Sequence, residues 1–210
     1  MLAENRVAIL GGTFNPVHNG HVAMAEAAIA ELNLSKVVFL PNGNPPHKGG
    51  TQIADACKRY DMVSIAVRLN SRFEVSDYEI KQTKPSYTIE TLPFLKSMYG
   101  DDISYIIGAD SLYSLHKWKR YRELICQCKF IVADRSCDAG SDLSGACSEL
   151  ISHGADITCI KMPRVDVSST QIRQMAARGL DFRNLVPPGV YEYITNNNLY
   201  QPCMEDENDY

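Results

Sequence analysis

A strand–turn–helix pattern near the start of the chain limits the fold more than any other feature of the sequence. The apolar run at residues 7–10 predicts a buried strand, and a helical pattern begins near Val22. Between them, residues 11–21 contain three glycines, Pro16 and two histidines. A turn from a parallel strand into a helix leaves backbone N–H groups free at the helix N-terminus. This order predicts an α/β fold with an anion-binding turn after its first strand.

The two histidines make this turn a candidate phosphate site. His18 and His21 are three residues apart, so they share a face in the first turn of a helix. Imidazoles can donate hydrogen bonds to phosphate oxygens, and Gly11, Gly12 and Gly20 let the backbone approach a ligand without an intervening Cβ. The turn matches neither G-x-x-x-x-G-K-[ST] nor G-x-G-x-x-G. The alternative is a tight connection that carries two surface histidines with hydrogen-bond partners of their own.

Short apolar runs alternate with helical patterns along the rest of the chain. Strands are predicted at residues 7–10, 36–40, 73–76, 103–107, 130–133 and 157–160, and helices at residues 53–69, 111–115, 143–151 and 190–196, with others starting near 88 and 168. This alternation predicts βαβ units in a Rossmann-like, mostly parallel sheet with helices on both faces. We expect one domain over residues 1–210, a small C-terminal helical region at 168–200 and a disordered tail at 205–210.

Charge and cysteine usage exclude several classes of protein. A net charge of −4 argues against a chain that coats nucleic acid. The seven cysteines have no zinc-site spacing, so we expect free thiols and no resident metal. No signal peptide or transmembrane-length apolar run is visible. We therefore expect a cytoplasmic protein without nucleic-acid or membrane partners, and a homo-oligomer stays open.

Two further segments carry candidate binding residues. The loop at residues 41–50 is rich in proline and glycine, and His47 and Lys48 there are either phosphate contacts or solvated charges. Asp110 follows the strand that ends at Gly108, so its carboxylate is suited to ribose hydroxyls, or it caps the helix at residues 111–115.

The segment at residues 168–173 predicts a helix N-terminus. Ser168 and Gln171 have capping-box spacing, and the nearby hydroxyls with Arg173 also describe a second anion site. The basic patch at residues 116–122 contains Trp118 and predicts a solvated helix face or a small-ligand stacking site.

Both ends of the chain resemble one superfamily. GGTFNPVHNGH at residues 11–21 resembles the H-x-G-H signature of the nucleotidyltransferases, and SSTQIR at 168–173 resembles their S-S-T-x-I-R signature. The segments at residues 44–48, 86–92, 106–112, 115–118 and 185–200 resemble one family in particular, the bacterial nicotinate-nucleotide adenylyltransferases. The resemblance spans residues 7–200, is weakest at 136–153, and has Asn15 where the family often has Asp.

This resemblance implies a reaction and a set of site residues. It implies adenylyl transfer from ATP to nicotinate mononucleotide, which gives deamido-NAD and pyrophosphate, with Mg²⁺ bound to the ATP. The implied catalytic residues are His18, His21 and Arg173. The implied ATP-binding residues are Gly11, Gly12, Thr13, Phe14, His18, His21, Gly108, Asp110, Ser169, Thr170, Ile172 and Arg173, of which Ile172 would flank adenine. The implied acceptor-binding residues are Asn44, His47, Lys48, Thr88, Trp118 and Arg135, with Thr88 and Trp118 on the nicotinate ring.

No nucleophile with a neighbouring base is visible, so we expect direct in-line attack by the acceptor phosphate. Three alternatives stay open. The acceptor could be nicotinamide mononucleotide or phosphopantetheine. The protein could be a metallohydrolase built on His18, His21, His47 and Asp110. It could also be a module that binds nucleotide without turnover.

Overall fold

The structure is a computed structural model that describes residues 6–44, 53–134 and 143–202. Its strands are β1 (Val7–Gly12), β2 (Lys36–Pro41), β3 (Phe73–Val75), β4 (Ile103–Gly108), β5 (Lys129–Asp134) and β6 (Asp156–Lys161). Its α-helices are α1 (Asn19–Leu32), α2 (Ala56–Ala66), α3 (Thr88–Tyr99), α4 (Ala109–Tyr113), α5 (Tyr121–Gln127), α6 (Leu143–Ser152), α7 (Ser169–Ala177) and α8 (Val190–Asn196). His47, Lys48, Arg135 and the tail at residues 205–210 lie outside the described residues.

The strands form a single six-stranded sheet in the order β3-β2-β1-β4-β5-β6, and every pairing among them is parallel. The predicted α/β class and parallel sheet are confirmed. The order reverses between β1 and β4, because β2 and β3 extend to one side and β5 and β6 to the other. In open α/β sheets, ligands bind outside the carboxyl ends of the strands at such a reversal.

Helices cover both faces of the sheet. Alternate residues of each central strand point to opposite faces, so Ala8 and Leu10 pack in one apolar cluster while Val7 and Ile9 pack in the other. The first cluster contains apolar residues of α1, α2, α7 and α8, and the second contains those of α3, α4, α5 and α6. Strands that are buried on both faces have continuous apolar sequences, which is why the strand at residues 7–10 could be predicted from the sequence.

Most predicted elements are present, with shifted boundaries. The helix predicted at residues 53–69 begins at Ala56, where the Asp55 side chain caps it by accepting from Cys57 N at 2.8 Å, and its last turn, Val67–Leu69, is a 3₁₀ helix. Asp110 does not cap α4, which corrects one of the two predicted roles. Gly108 is the N-cap there, and Asp110 lies in the first turn of the helix.

Candidate active site

The two histidines of the turn lie against each other at the start of α1. Their ring centroids are 3.7 Å apart with an interplanar angle of 26°, and the Nδ1 atom of His21 accepts from the backbone N–H of His18 at 3.2 Å. His18 is buried and His21 is half-buried. An imidazole that accepts at Nδ1 carries its proton at Nε2 when neutral, so the His21 ring has a donor on its opposite edge. Neither histidine lies at the surface, which disfavours the alternative prediction of a tight connection with two surface histidines.

The signature at the far end of the chain contacts this turn directly. The Arg173 guanidinium donates to the Asn15 carbonyl oxygen at 2.8 Å, and the Ser169 hydroxyl donates to the Pro16 carbonyl oxygen at 2.9 Å. Arg173 also donates to the Thr170 hydroxyl at 3.2 Å. The predicted phosphate-binding residues of both signatures therefore meet at one place, although they are separated by more than 150 residues of chain.

The start of α7 has the predicted cap. The Ser168 hydroxyl accepts from Gln171 N at 3.1 Å, which satisfies one of the free N–H groups of the first turn. Gly20 leaves room where the two signatures approach each other. A Cβ at this position would lie 3.0 Å from the His18 ring and 3.3 Å from Val167, so both side chains would have to shift by a few tenths of an ångström.

Two residues implied in ATP binding have buried side chains. Phe14 is 2% exposed and packs edge-on against His21 with ring centroids 5.0 Å apart. Ile172 is fully buried in the first apolar cluster, so only its backbone is available to a nucleotide in this conformation. Gly108 and Asp110 follow β4 at the sheet reversal, with Asp110 exposed.

A cavity of about 300 Å³ opens on the other side of the turn. It contains two predicted acceptor-binding residues, Thr88 and Trp118, and three residues of the glycine turn, Gly11, Gly12 and Thr13. Its other lining residues are Asn42, Glu79, Ser86, Tyr87, Tyr105, Ser111, Lys119 and Leu124. Its volume is at the lower end of the range typical of small-molecule sites. Asn44 is exposed and lies outside this lining.

Tyr105 lines this cavity, and the sequence analysis did not single it out because it lies within an apolar strand. A Cβ on Gly11 would lie 2.0 Å from the Tyr105 hydroxyl, so glycine is required at the end of β1. The Trp118 ring meets the Tyr105 ring edge-on, with centroids 6.3 Å apart. Burial raises the pKa of Tyr105, so its hydroxyl stays neutral.

Glu79 is a second cavity residue that the sequence analysis missed. It is 5% exposed, and its Oε1 atom accepts from the Thr91 hydroxyl at 2.8 Å. Burial is the main cause that raises the pKa of Glu79 to about 7. The surrounding sequence is polar and without periodicity, so no signal distinguished this carboxylate from surface ones.

A buried arginine on α2 connects the glycine turn to the segment after β2. The Arg59 guanidinium donates to the carbonyl oxygens of Thr13 at 2.8 Å, Asn42 at 2.7 Å and Gly43 at 2.8 Å, and Nε donates to Ala54 O at 3.0 Å. Arg59 is 1% exposed. Arg59 lies on the buried stripe of α2 with Met62, Val63 and Ala66, and only the tertiary structure shows which carbonyl groups it contacts.

The basic patch divides into two parts. Trp118 and Lys119 line the cavity, and the Lys119 ammonium lies 4.2 Å from the centroid of the Tyr87 ring and 2.6 Å from Glu90 Oε1. Arg120 is exposed and pairs with Glu123 at 2.6 Å. The structure therefore shows the predicted solvated face at Arg120, whereas ligand stacking on Trp118 stays a prediction.

The residues that the structure describes contain no cluster of three or more His, Cys, Asp or Glu side chains that could hold a metal ion. The proposed metallohydrolase set includes His47, which lies outside those residues. Among the helices at 6–44, 53–134 and 143–202, none combines the length and the hydropathy needed to cross a bilayer.

Solved structures share the fold. The chain superimposes with a TM-score of 0.74 on Plasmodium falciparum nicotinic acid mononucleotide adenylyltransferase, which was solved in complex with NaAD. The two are 18% identical, and the match covers 93% of this chain and 97% of the other. A second structure, from Vibrio parahaemolyticus, matches with a TM-score of 0.66 at 20% identity, over 94% of this chain and 96% of the other.

Sequence comparisons give the closer relationship. Residues 9–175 match the family model described as cytidylyltransferase-like. The chain is 39% identical over 199 residues to the "probable nicotinate-nucleotide adenylyltransferase" of Caldicellulosiruptor bescii, which covers 93% of this chain and 99% of the relative. It is 42% identical over 200 residues to the protein of that name from Synechococcus sp., over 94% and 95% of the two chains. The chain therefore belongs to the nicotinate-nucleotide adenylyltransferase family.

Proposed function

We propose that this protein transfers the adenylyl group of ATP to nicotinate mononucleotide, giving deamido-NAD and pyrophosphate in NAD biosynthesis. The observation that carries this proposal is the arrangement around the glycine turn. The histidines and the 168–173 signature meet on one side of the turn, and the cavity with Thr88 and Trp118 opens on the other. Family membership supports the same reaction.

In this proposal the residues around Arg173 hold the ATP phosphates. His21 donates from Nε2 to phosphate oxygens, and His18 supports the His21 ring by stacking and through its backbone N–H. Ser169, Thr170 and Arg173 contribute hydroxyl and guanidinium donors at the start of α7, where the helix dipole also favours anions. Glycine-turn residues 11–14 lie beside the nucleotide, the Ile172 backbone flanks adenine, and Gly108 and Asp110 contact the ribose.

The acceptor occupies the cavity. Thr88 donates a hydrogen bond to the nicotinate group from the first turn of α3, and the Trp118 ring stacks on the pyridine ring. On the family resemblance we also assign Asn44, His47, Lys48 and Arg135 to the acceptor. In this proposal the acceptor phosphate lies at residues 11–13, next to the ATP phosphates.

Catalysis then rests on positioning and charge stabilisation. The acceptor phosphate attacks the α-phosphorus in line, and pyrophosphate leaves without a covalent enzyme intermediate. Holding both reactants side by side can lower the barrier by about 7–11 kcal/mol. His21 and Arg173 donate to oxygens that gain charge as the bond to the leaving group breaks.

The donor set fits a Mg²⁺ ion that arrives with ATP. Mg²⁺ keeps several waters and is commonly held by substrate phosphates and one or two carboxylates. The described residues contain no cluster of His, Cys, Asp or Glu for a resident metal, so in this proposal ATP phosphates and water hold the ion, and Asp110 contacts the ribose. Bound Mg²⁺ would neutralise phosphate charge, while the side chains named above bind and orient the reactants.

We also propose a single domain over residues 1–210 and a cytoplasmic location.

Product identification tests the proposal. The purified protein is incubated with ATP, Mg²⁺ and, separately, nicotinate mononucleotide, nicotinamide mononucleotide or phosphopantetheine, and the products are identified by mass. We expect deamido-NAD and pyrophosphate in equal amounts, with a higher kcat/KM for nicotinate than for nicotinamide mononucleotide. Preferred transfer to another acceptor would reject this substrate, and nucleotide binding without any product would reject catalysis.

A further inference from the structure

Glu79 places a carboxyl group inside the cavity that the proposed function assigns to the acceptor. It lies between β3 and α3, and its Oε1 atom is held by the Thr91 hydroxyl at 2.8 Å. Thr91 is one helical turn after Thr88, which lines the same cavity. Among residues 6–44, 53–134 and 143–202, no ion pair joins Glu79 to a cation.

Among the residues that the structure describes, the charged and titratable groups around Glu79 do not neutralise it. Lys119 lines the cavity from the segment before α5, but its ammonium forms an ion pair with Glu90. The Tyr105 hydroxyl from β4 stays neutral because burial raises its pKa, and Tyr87 at the start of α3 also lines the cavity. Arg59 of α2 lies across residues 42–43, with its donors on backbone carbonyls.

Nicotinate mononucleotide would bring a second carboxylate into this small space. Glu79 lines the same cavity as Thr88 and Trp118, which the proposed function assigns to the nicotinate ring, so the nicotinate carboxylate would bind near Glu79. Two carboxylates in one desolvated site do not both ionise readily, and one of them retains a proton. Nicotinamide mononucleotide has a neutral amide in place of the carboxylate, so its binding does not require a proton on Glu79.

We propose that Glu79 is a specificity-determining residue. When nicotinate mononucleotide binds, Glu79 is protonated and presents a neutral carboxyl group to the nicotinate carboxylate. This inference rests on the proposed function. The proton comes from solvent when the acceptor binds and returns to solvent after the product leaves, so no bond of either substrate is involved. Because the Thr91 hydroxyl donates to Oε1, the proton of the neutral carboxyl group resides on Oε2, from which it can be donated to a bound carboxylate. The Ser86 hydroxyl, which lines the same cavity, also interacts with the Glu79 side chain.

The pH dependence of acceptor choice tests this role. The burial that raises the pKa of Glu79 to about 7 predicts that the ratio of kcat/KM values, nicotinate over nicotinamide, falls about fivefold from pH 7 to pH 8 and about tenfold more by pH 9. In Glu79→Gln the side chain is neutral at every pH and keeps the Thr91 bond, so we expect a constant ratio. Glu74→Gln is the matched control on β3, outside the cavity, and should retain the wild-type fall.

Proton uptake gives a second readout that needs no variant. Binding calorimetry at pH 8 in buffers of different ionisation enthalpy should show close to one proton more taken up with nicotinate than with nicotinamide mononucleotide, since both share the same phosphate. Equal uptake for the two acceptors would overturn the inference. So would a pH-independent ratio in the wild type, or the same fall in Glu79→Gln. Formation of deamido-NAD by the wild type tests the proposed function separately.

Discussion

Arg59→Met tests the buried arginine that connects the glycine turn with the segment after β2. Methionine has similar length and no donor, so the substitution removes the four hydrogen bonds to Thr13, Asn42, Gly43 and Ala54. A buried acceptor left without a partner costs about 1–3 kcal/mol. Relief from burying the guanidinium offsets part of that loss, since the same burial lowers the pKa of Arg59.

The expected net loss in the free energy of unfolding is about 3–5 kcal/mol. That loss is a large part of the free energy of unfolding of a typical native protein, which is roughly 5–15 kcal/mol. It corresponds to a decrease in Tm of roughly 10 °C for a chain of this size. Because Thr13 and Asn42 also line the cavity, the KM for the acceptor should rise in the variant that still folds.

Urea denaturation, followed by Trp118 fluorescence and far-UV circular dichroism, measures this loss. Lys58→Met is the matched control, because it removes one positive charge from the adjacent helical residue and should change stability by less than about 0.5 kcal/mol. Arg59→Lys keeps the charge but concentrates its donors at one nitrogen, so an intermediate loss is expected. A loss below about 1 kcal/mol for Arg59→Met would refute the view that these bonds hold the two segments together.

Two further substitutions test the turn itself. His21→Ala should lower the rate of pyrophosphate release about 10²–10³-fold while the protein stays folded. The control His116→Ala changes an exposed histidine outside the cavity and should retain wild-type turnover. Unchanged turnover in His21→Ala would contradict the role of His21 as a hydrogen-bond donor to phosphate. Gly11→Ala places a Cβ against the Tyr105 hydroxyl and should cost about 1–3 kcal/mol in urea denaturation and raise the acceptor KM. Gly108→Ala is the comparison for steric effects, because its Cβ would lie no closer than 3.6 Å to another atom and its loss reports only the changed N-cap of α4.

The fold was predictable where local pattern and tertiary environment agree. β1 and β5 are buried on both faces, and such strands are apolar without interruption. The start of α7 was predictable because Ser168 caps through its own side chain. The start of α4 was not, because Gly108 caps it through backbone geometry and leaves Asp110 inside the helix.

The candidate site was predictable in its sequence signatures and not in its cavity. His18, His21 and Arg173 stand in dense motifs, whereas Glu79, Tyr105 and Arg59 are single residues in ordinary surroundings. Nothing local distinguishes a tyrosine that packs in a core from one whose hydroxyl lines a cavity. The implied contact of Ile172 with adenine is restricted to its backbone by burial, which the sequence does not show.

Amino-acid order alone determined the α/β class, the glycine turn with its paired imidazoles and the family of the chain, because each is encoded by neighbouring residues. Tertiary structure decided which distant segments meet. Pairing of β1 with β4 creates the sheet reversal, and the contacts of Arg173 and Ser169 bring residues 168–173 to the turn. It also decided the ionisation of Glu79, since the desolvation that raises its pKa comes from side chains contributed by several elements.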